Sequence, residues 1–324
     1  MTKEEILTLL EGADSPVSGS EMSRRLGVTR AAVWKGVEAL RKEGYVIESA
    51  PNRGYRLTGG PDRLRAGALA GAGSTVGSAL ECLDTVDSTN TYLKSRAAQG
   101  VPHGLVVTAE EQTGGRGRLG RSFQSPRGQG LYLSALLRPQ VPPARAVGMT
   151  AWVAVAVCRA IEGLTGLCPA IKWTNDILLE EKKLCGILTE MGVEGESGAL
   201  QYVIPGIGIN VSQRPEDFPP EVAAIATSLA QHMEVPPTRV ALARALIGEL
   251  DRMLADFPGR KDHYLEEYRR RCITTGRRVR VLSPGRERLG FARAIDEDFC
   301  LVVEFEDGSV EAVSGGEVSI RGND

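Results

Sequence analysis

The chain has 324 residues, 42% of them hydrophobic and 25% charged, with a formal net charge of -2. That length suits two or three domains with a sizeable core, and the composition is that of a soluble globular protein. With no global positive field, any nucleic-acid binding has to come from a local patch. The opening residues, Met1-Thr2-Lys3-Glu4-Glu5, are too polar for a signal peptide. Cys82, Cys158, Cys168, Cys185, Cys272 and Cys300 form no CxxC and no close Cys/His cluster. The expectation is a cytoplasmic protein with free thiols, no zinc and no membrane association.

Residues 3–10 read as a short helix with Ile6, Leu7, Leu9 and Leu10 on its apolar face, followed by a turn at Asp14-Ser15-Pro16. Ser18 or Ser20 can cap a second helix, Glu21–Leu26, which Gly27 ends. A third helix, Arg30–Glu43, follows Val28 and Thr29, carries Ala32, Val33, Val37 and Leu40 at helical spacing, and stops at Gly44. Two β-like pieces, Tyr45–Glu48 and Gly54–Leu57, flank a turn at Pro51-Asn52-Arg53-Gly54. This is the layout of a winged helix-turn-helix, whose second helix of the pair enters the major groove while the wing touches backbone. Arg30, Lys35, Arg41 and Lys42 on the third helix, with Arg53 and Arg56 on the wing, suit phosphates. Thr29, Arg30 and Trp34, with Ser20 at the cap of the preceding helix, are candidates for the rest of a DNA-binding set. A winged helix used only for protein contacts, or one that has lost its DNA function, is the competing reading. Gly59-Gly60-Pro61-Asp62 reads as the linker that closes this first domain, 1–60.

The next stretch, 61–272, reads as one α/β domain. Asp84–Asn90 leads from an apolar strand into a helix, Thr91–Ala98. Ser88 or Thr89 is either an ordinary N-cap or part of a site where free backbone N–H groups hold a carboxylate. Strand Leu105–Glu111 then delivers Gln112 and the run Gly114-Gly115-Arg116-Gly117-Arg118-Leu119-Gly120-Arg121. Glycines let a backbone approach a ligand, and arginines supply planar charged donors for carboxylate or phosphate. The run is not a P-loop, since no Gly-Lys-Ser/Thr closes it. It reads as a loop that closes over an anion. Disordered nucleic-acid-binding segments and plain surface loops share such composition.

Strand Leu131–Leu137 and a buried helix, Ala144–Gly163, come next; the apolar run there is short for a membrane span and carries Arg145 and Arg159. Ile171–Leu179 reads as a strand with an unusually polar middle, joined through Glu180-Glu181-Lys182-Lys183 to Leu184–Met191, and a further strand covers Tyr202–Val211. Polar groups inside apolar strands are costly unless satisfied, so Asn175, Asp176, Lys183 and Asn210 are either site residues or a buried hydrogen-bond network. Helices Thr238–Phe257 and Lys261–Arg271 complete the domain, and 273–324 reads as a small β-barrel built on Arg278–Leu282, Gly290–Ile295, Leu301–Phe305 and Ser309–Ala312.

Taken together these motifs resemble the bifunctional biotin protein ligase and biotin operon repressor family over nearly the whole chain. Gly115–Gly120 is similar to its GRGRxG loop, Ser88-Thr89-Asn90 to its STN motif, Lys172–Asp176 to its KWPND block, Lys183–Leu188 to its KxxGIL block and Gly206–Asn210 to its GxGIN strand. Thr174 stands where that block has proline, and Phe123 where the family can carry tryptophan. The resemblance implies a multidomain α+β chain: a winged helix, a central class II synthetase-like ligase domain with a mixed sheet, and a C-terminal SH3-like barrel. It implies ATP-dependent formation of biotinyl-5′-AMP and transfer of biotin to a lysine of biotin carboxyl carrier protein. It also implies repression at the operator DNA of biotin genes by a homodimer. By the same resemblance, Ser88, Thr89, Asn90, Gln112, Arg116, Gly117, Arg118 and Lys183 are expected to bind biotin. Arg118, Arg121, Phe123, Asn175 and Asn210 are expected around the adenylate, with Lys183, Arg118 and Asp176 catalytic and Asp176 the candidate for Mg²⁺. Lipoate or octanoate attachment is disfavoured by GRGRxG, KWxND and the winged helix together. A transcription factor that binds a small acid without chemistry has no use for Lys183 and Asp176 beside a nucleotide.

Overall fold

The computed structural model describes residues 3–13, 15–50, 53–283 and 286–320. Met1, Thr2, Asp14 of the first expected turn, Pro51 and Asn52 of the expected wing turn, and Arg321 lie outside the described residues. The chain divides into two compact units, Met1–Gly71 and Ala72–Asp324.

The first unit holds α1 (Lys3–Glu11), α2 (Gly19–Leu26), α3 (Arg30–Lys42), the antiparallel pair β1 (Val46–Ala50) and β2 (Gly54–Gly59), and the short α4 (Ala66–Leu69). Ser18, not Ser20, caps α2 by accepting from the Glu21 N–H at 3.1 Å, because Ser20 already lies inside the helix. Gly27 closes α2 at φ 64, and Thr29 caps α3 through the Ala32 N–H at 3.2 Å. The core is the apolar spacing made solid: Ile6, Leu7, Leu10, Met22, Val33, Val37, Leu40 and Ile47 are buried together.

The second unit is built on a seven-stranded mixed sheet. Its elements are β3 (Ala79–Val86), α5 (Thr89–Ala98), β4 (Leu105–Gln112), β5 (Gly130–Ala135), α6 (Pro143–Ala146), α7 (Met149–Thr165), β6 (Ala170–Lys172), β7 (Asp176–Leu179), β8 (Lys182–Val193), β9 (Leu200–Asn210), α8 (Pro220–Ala223), α9 (Arg239–Asp256) and α10 (Lys261–Arg271). The strand order is β3-β4-β5-β9-β8-β7-β6, parallel only between β3 and β4. The expected helix 144–163 is two helices broken at Val147-Gly148, where a side chain on Gly148 would come within 3.2 Å of the Phe299 ring. Helix α7 is the core helix: Ala151–Cys158, Ala160 and Ile161 are all buried.

The block 171–179 is not one strand. It folds back on itself, with Lys172 opposite Asp176 and Ala170 opposite Leu178, so its polar middle is a tight turn. That turn is held by the Trp173 N–H donating to Thr274 Oγ1 at 2.9 Å and the Trp173 indole N–H donating to the Phe299 carbonyl at 2.9 Å. Between β7 and β8 the chain turns at Glu180 and Glu181, both at positive φ (47 and 65), as a two-residue hairpin requires.

The unit ends in a five-stranded antiparallel sheet, β10 (Arg278–Ser283), β11 (Arg286–Ile295), β12 (Leu301–Phe305), β13 (Val310–Val313) and β14 (Glu317–Ile320), in the order β13-β12-β11-β10-β14. Strand β14 is the one that the alternation in sequence does not mark out.

Candidate active site

The Arg/Gly run follows β4 and forms a small hydrogen-bonded hairpin. The Phe123 N–H donates to the Gly115 carbonyl at 2.9 Å, and the Gly117 N–H donates to the Arg121 carbonyl at 2.7 Å. A side chain on Gly115 would stand 2.4 Å from the Phe123 carbonyl oxygen, so this closure needs glycine there. The tip turns through Leu119 and Gly120 at φ 56 and 75, and Leu119 is 71% exposed. Its two flanking arginines point in different directions. Arg118 reaches inward, donating to Thr174 Oγ1 at 2.7 Å, Asn175 Oδ1 at 3.0 Å and the Gly316 carbonyl at 2.9 Å. Arg121 reaches away, to the Glu317 carboxylate at 2.6 Å.

The start of α5 supplies the opposite, neutral end. Ser88 is the N-cap, but its side chain makes no capping bond; instead the Thr89 N–H donates to Gln112 Oε1 at 2.9 Å. Gln112 Nε2 in turn donates to Ser125 Oγ at 2.9 Å, which fixes the amide's direction. Asn90 is 3% exposed and lies over Gly206, where a side chain would meet Asn90 Oδ1 at 2.2 Å. One step along β9 on the same face, a side chain on Gly208 would meet the Phe123 ring at 2.5 Å. Small residues on β9 thus make room for two side chains laid on the sheet.

One cavity brings together Ser88, Thr89, Asn90, Gln112, Arg116, Gly117, Arg118, Phe123, Asn175 and Lys183, over Gly186, Gly206 and Gly208. Asn175 is held by donating to the Ile187 carbonyl at 3.0 Å while accepting from Arg118. Lys183 Nζ is 2.6 Å from Asp176 Oδ1, beside the cavity. Arg121 and Asn210 do not line it. Asn210 is buried, donating to the Thr227 carbonyl at 2.9 Å and accepting from Gln213 at 3.1 Å, so it ties the 211–229 segment to the sheet. Of the two readings open for the polar strand residues, Asn210 has the hydrogen-bond network; Asn175 and Lys183 have the cavity.

Other contributors were not singled out by sequence. Ser134, fully buried in β5, donates to Asn90 Oδ1 at 2.6 Å. Glu190 accepts from Asn90 Nδ2 at 2.9 Å. Tyr268 donates to the Thr174 carbonyl at 3.2 Å, and burial pushes its phenol far above the ordinary value, so it stays a donor. A lone serine in an apolar strand was the signal for Ser134. No local signal existed for Gly316, Glu317 or Tyr268, which lie far along the chain.

In the first unit Ser20, Thr29, Arg30, Trp34, Lys35 and Arg53 are all exposed, Trp34 at 55%. Arg41 differs from expectation: it is half-buried, donating to the Ile47 carbonyl at 3.0 Å and to Glu38 at 2.7 Å. It joins α3 to β1 rather than facing outward.

Comparison with known proteins agrees with this geometry. Residues 82–210 match the biotin/lipoate A/B protein ligase family, residues 2–56 an HTH domain and residues 274–321 the biotin protein ligase C-terminal domain. The chain is 41% identical over 232 residues to the bifunctional ligase/repressor BirA of Bacillus spizizenii, covering 71% of each chain. It is 32% identical over 305 residues to that of Escherichia coli, covering 94% of this chain and 92% of the other. The biotin protein ligase of Aquifex aeolicus, solved with biotin and ATP, superposes with a TM-score of 0.63 at 28% identity, over 75% of this chain and 99% of its own. The chain belongs to the family of bifunctional biotin protein ligases and repressors.

Proposed function

We propose that the chain activates biotin with ATP to biotinyl-5′-AMP, transfers the biotinyl group to a lysine of a biotin carboxyl carrier domain, and represses biotin genes when the adenylate is bound. The reading rests on one observation: a neutral hydrogen-bonding end, Thr89 with Gln112, and a cationic end, Arg118 with Lys183, belong to the same cavity. Biotin has the matching polarity, a ureido ring at one end and a carboxylate at the other.

The biotin carboxylate attacks the α-phosphate of ATP and pyrophosphate leaves. The carrier lysine, as a free amine, then attacks the acyl carbon of the mixed anhydride and AMP leaves. No enzyme nucleophile is needed, so the protein's contribution is alignment and charge neutralisation. Lys183 leaves Asp176 for the reacting carboxylate and phosphate, and Arg118 exchanges its neutral acceptors for phosphate oxygens. Phe123, lying on Gly208, offers an aromatic face to adenine. Order in the hairpin keeps water from the anhydride.

No group of three His, Cys, Asp or Glu side chains suited to a metal occurs among the described residues. Asp176 offers one carboxylate, which fits Mg²⁺ arriving with ATP, an ion that commonly takes one or two carboxylates plus phosphates and waters. When bound there, Mg²⁺ supplies further neutralisation of phosphate charge.

For the second activity, exposed Arg30, Trp34, Lys35 and Arg53 are the DNA-facing set, and adenylate-induced order in the hairpin favours a cytoplasmic homodimer that presents two recognition helices to two half-sites. Tenfold tighter operator binding needs only about 1.4 kcal/mol of coupling. The test is incubation with biotin, ATP and Mg²⁺, then detection of a bound adenylate by mass, its discharge on a carrier domain, and operator affinity with and without both substrates. Absence of adenylate sinks the ligase reading; equal DNA affinity in both states sinks the repressor reading.

A further inference from the structure

We infer that Glu190 is a positioning residue that, through Asn90 and Ser134, keeps both lone pairs of Thr89 free for the biotin end of the cavity. This rests on the ligase reading above. The Glu190 carboxylate is divided between two partners: one oxygen pairs with Lys94, and the other accepts from Asn90 Nδ2 at 2.9 Å. A second Asn90 N–H goes to the Leu188 carbonyl at 3.1 Å. Two acceptors on the amino side leave Asn90 one orientation, with Oδ1 toward Ser134.

The consequence runs inward. Asn90 Oδ1 can only accept, so the single Ser134 proton is given to it at 2.6 Å. Ser134 Oγ then meets Thr89 Oγ1, 2.7 Å away, as an acceptor. The one Thr89 proton has two acceptors in reach, Ser134 Oγ and, at 3.1 Å, Gln112 Oε1. Either way it is spent inside the protein, and the lone pairs of Thr89 are what remains for the cavity. Thr89 therefore faces a ligand as an acceptor, which suits a ureido N–H. Were Asn90 turned over, its amino group would donate to Ser134, the serine proton would go to Thr89, and the Thr89 proton would be left with Gln112 Oε1 as its acceptor. Thr89 would then keep one lone pair for a ligand N–H instead of two. Asn90, Ser134 and Thr89 are all at most 4% exposed, so water cannot rescue the wrong pattern.

The test measures biotin affinity by calorimetry on the full chain. Glu190→Ala is expected to weaken biotin about tenfold, with the KM for ATP unchanged, because one Asn90 N–H loses its partner. Glu190→Gln, which still offers an acceptor, should restore most of the affinity. In a Thr89→Val background, where the acceptor is gone, Glu190→Ala should cost less than about twofold. Additive losses, or wild-type affinity in Glu190→Ala, would overturn the inference. Failure of the unsubstituted chain to bind biotin would instead overturn the ligase reading on which it stands.

Discussion

Lys183 Nζ lies 2.6 Å from Asp176 Oδ1, so the cation of the β7–β8 hairpin is held by a carboxylate of the same hairpin. Both side chains are partly exposed, at 34% and 23%, and exchange of partners is not blocked by burial. Removing the positive charge should cost what losing one preorganised electrostatic contact costs, roughly 10²–10³ in rate. Lys183→Ala is expected to lower single-turnover pyrophosphate release by that much. Asp176→Asn, which keeps the lysine charged, should act mainly through ATP and its ion, lowering kcat/KM for ATP about tenfold with biotin affinity preserved.

How much of this was legible in sequence depends on where each partner lies. The winged helix was readable because caps and apolar spacing are local: Ser18, Gly27 and Thr29 do what their residue types favour. In sequence the 171–179 block reads as a strand because polarity marks a site and a turn equally; the turn is fixed by Thr274 and Phe299, about a hundred residues further along. Asn175 and Asn210 look alike in sequence, each an asparagine within a strand-like stretch. They part only because the 211–229 segment folds over Asn210 and leaves Asn175 facing the cavity. Arg118 and Arg121 likewise have acceptors far along the chain, at Gly316 just before β14 and at Glu317 within it.

That sheet grips the hairpin through Arg121 and Glu317, a pair with 67% and 25% side-chain exposure. So exposed a bridge contributes little to global stability, about 0–1 kcal/mol. Its expected effect is on the hairpin's order. In Glu317→Ala the melting temperature should stay near that of the unsubstituted chain, while release of preformed adenylate speeds up roughly fivefold, as about 1 kcal/mol on a barrier gives. Stopped-flow or filter measurement of adenylate loss checks both parts, and an unchanged release rate would remove the C-terminal sheet from the hairpin's control.

Gly208 carries the Phe123 ring, and an added Cβ would stand 2.5, 2.8 and 3.0 Å from three of its carbons. Gly208→Ala must therefore displace the ring, an overpacking cost of about 1–3 kcal/mol. The KM for ATP is expected to rise tenfold or more, with biotin affinity within about twofold. Combining it with Phe123→Ala removes the clash, so the double variant should be no worse than Phe123→Ala alone. Titration of both substrates against the three variants decides it.

Asp251 on α9 gathers the start of the catalytic unit: its carboxylate accepts from the N–H groups of Ser74, Thr75 and Val76 at 2.9, 2.8 and 2.7 Å, and from the Ser74 hydroxyl at 2.9 Å. Burial raises its pKa, but the bonds from Ser74, Val76 and Thr75 lower it by more, leaving it below the ordinary value. A carboxyl lowered on folding contributes stability at pH above its unfolded value, near 4, and that contribution is lost as pH falls through the folded value. Asp251→Asn should therefore cost about 2 kcal/mol at neutral pH, the scale of hydrogen bonds to a charged acceptor. The difference between the two chains should shrink steadily in acid below pH ~4. Denaturant melts at pH 7, 5 and 3 measure it, and a gap that stays constant across that range would show that the carboxylate's charge is not what holds the 74–76 turn.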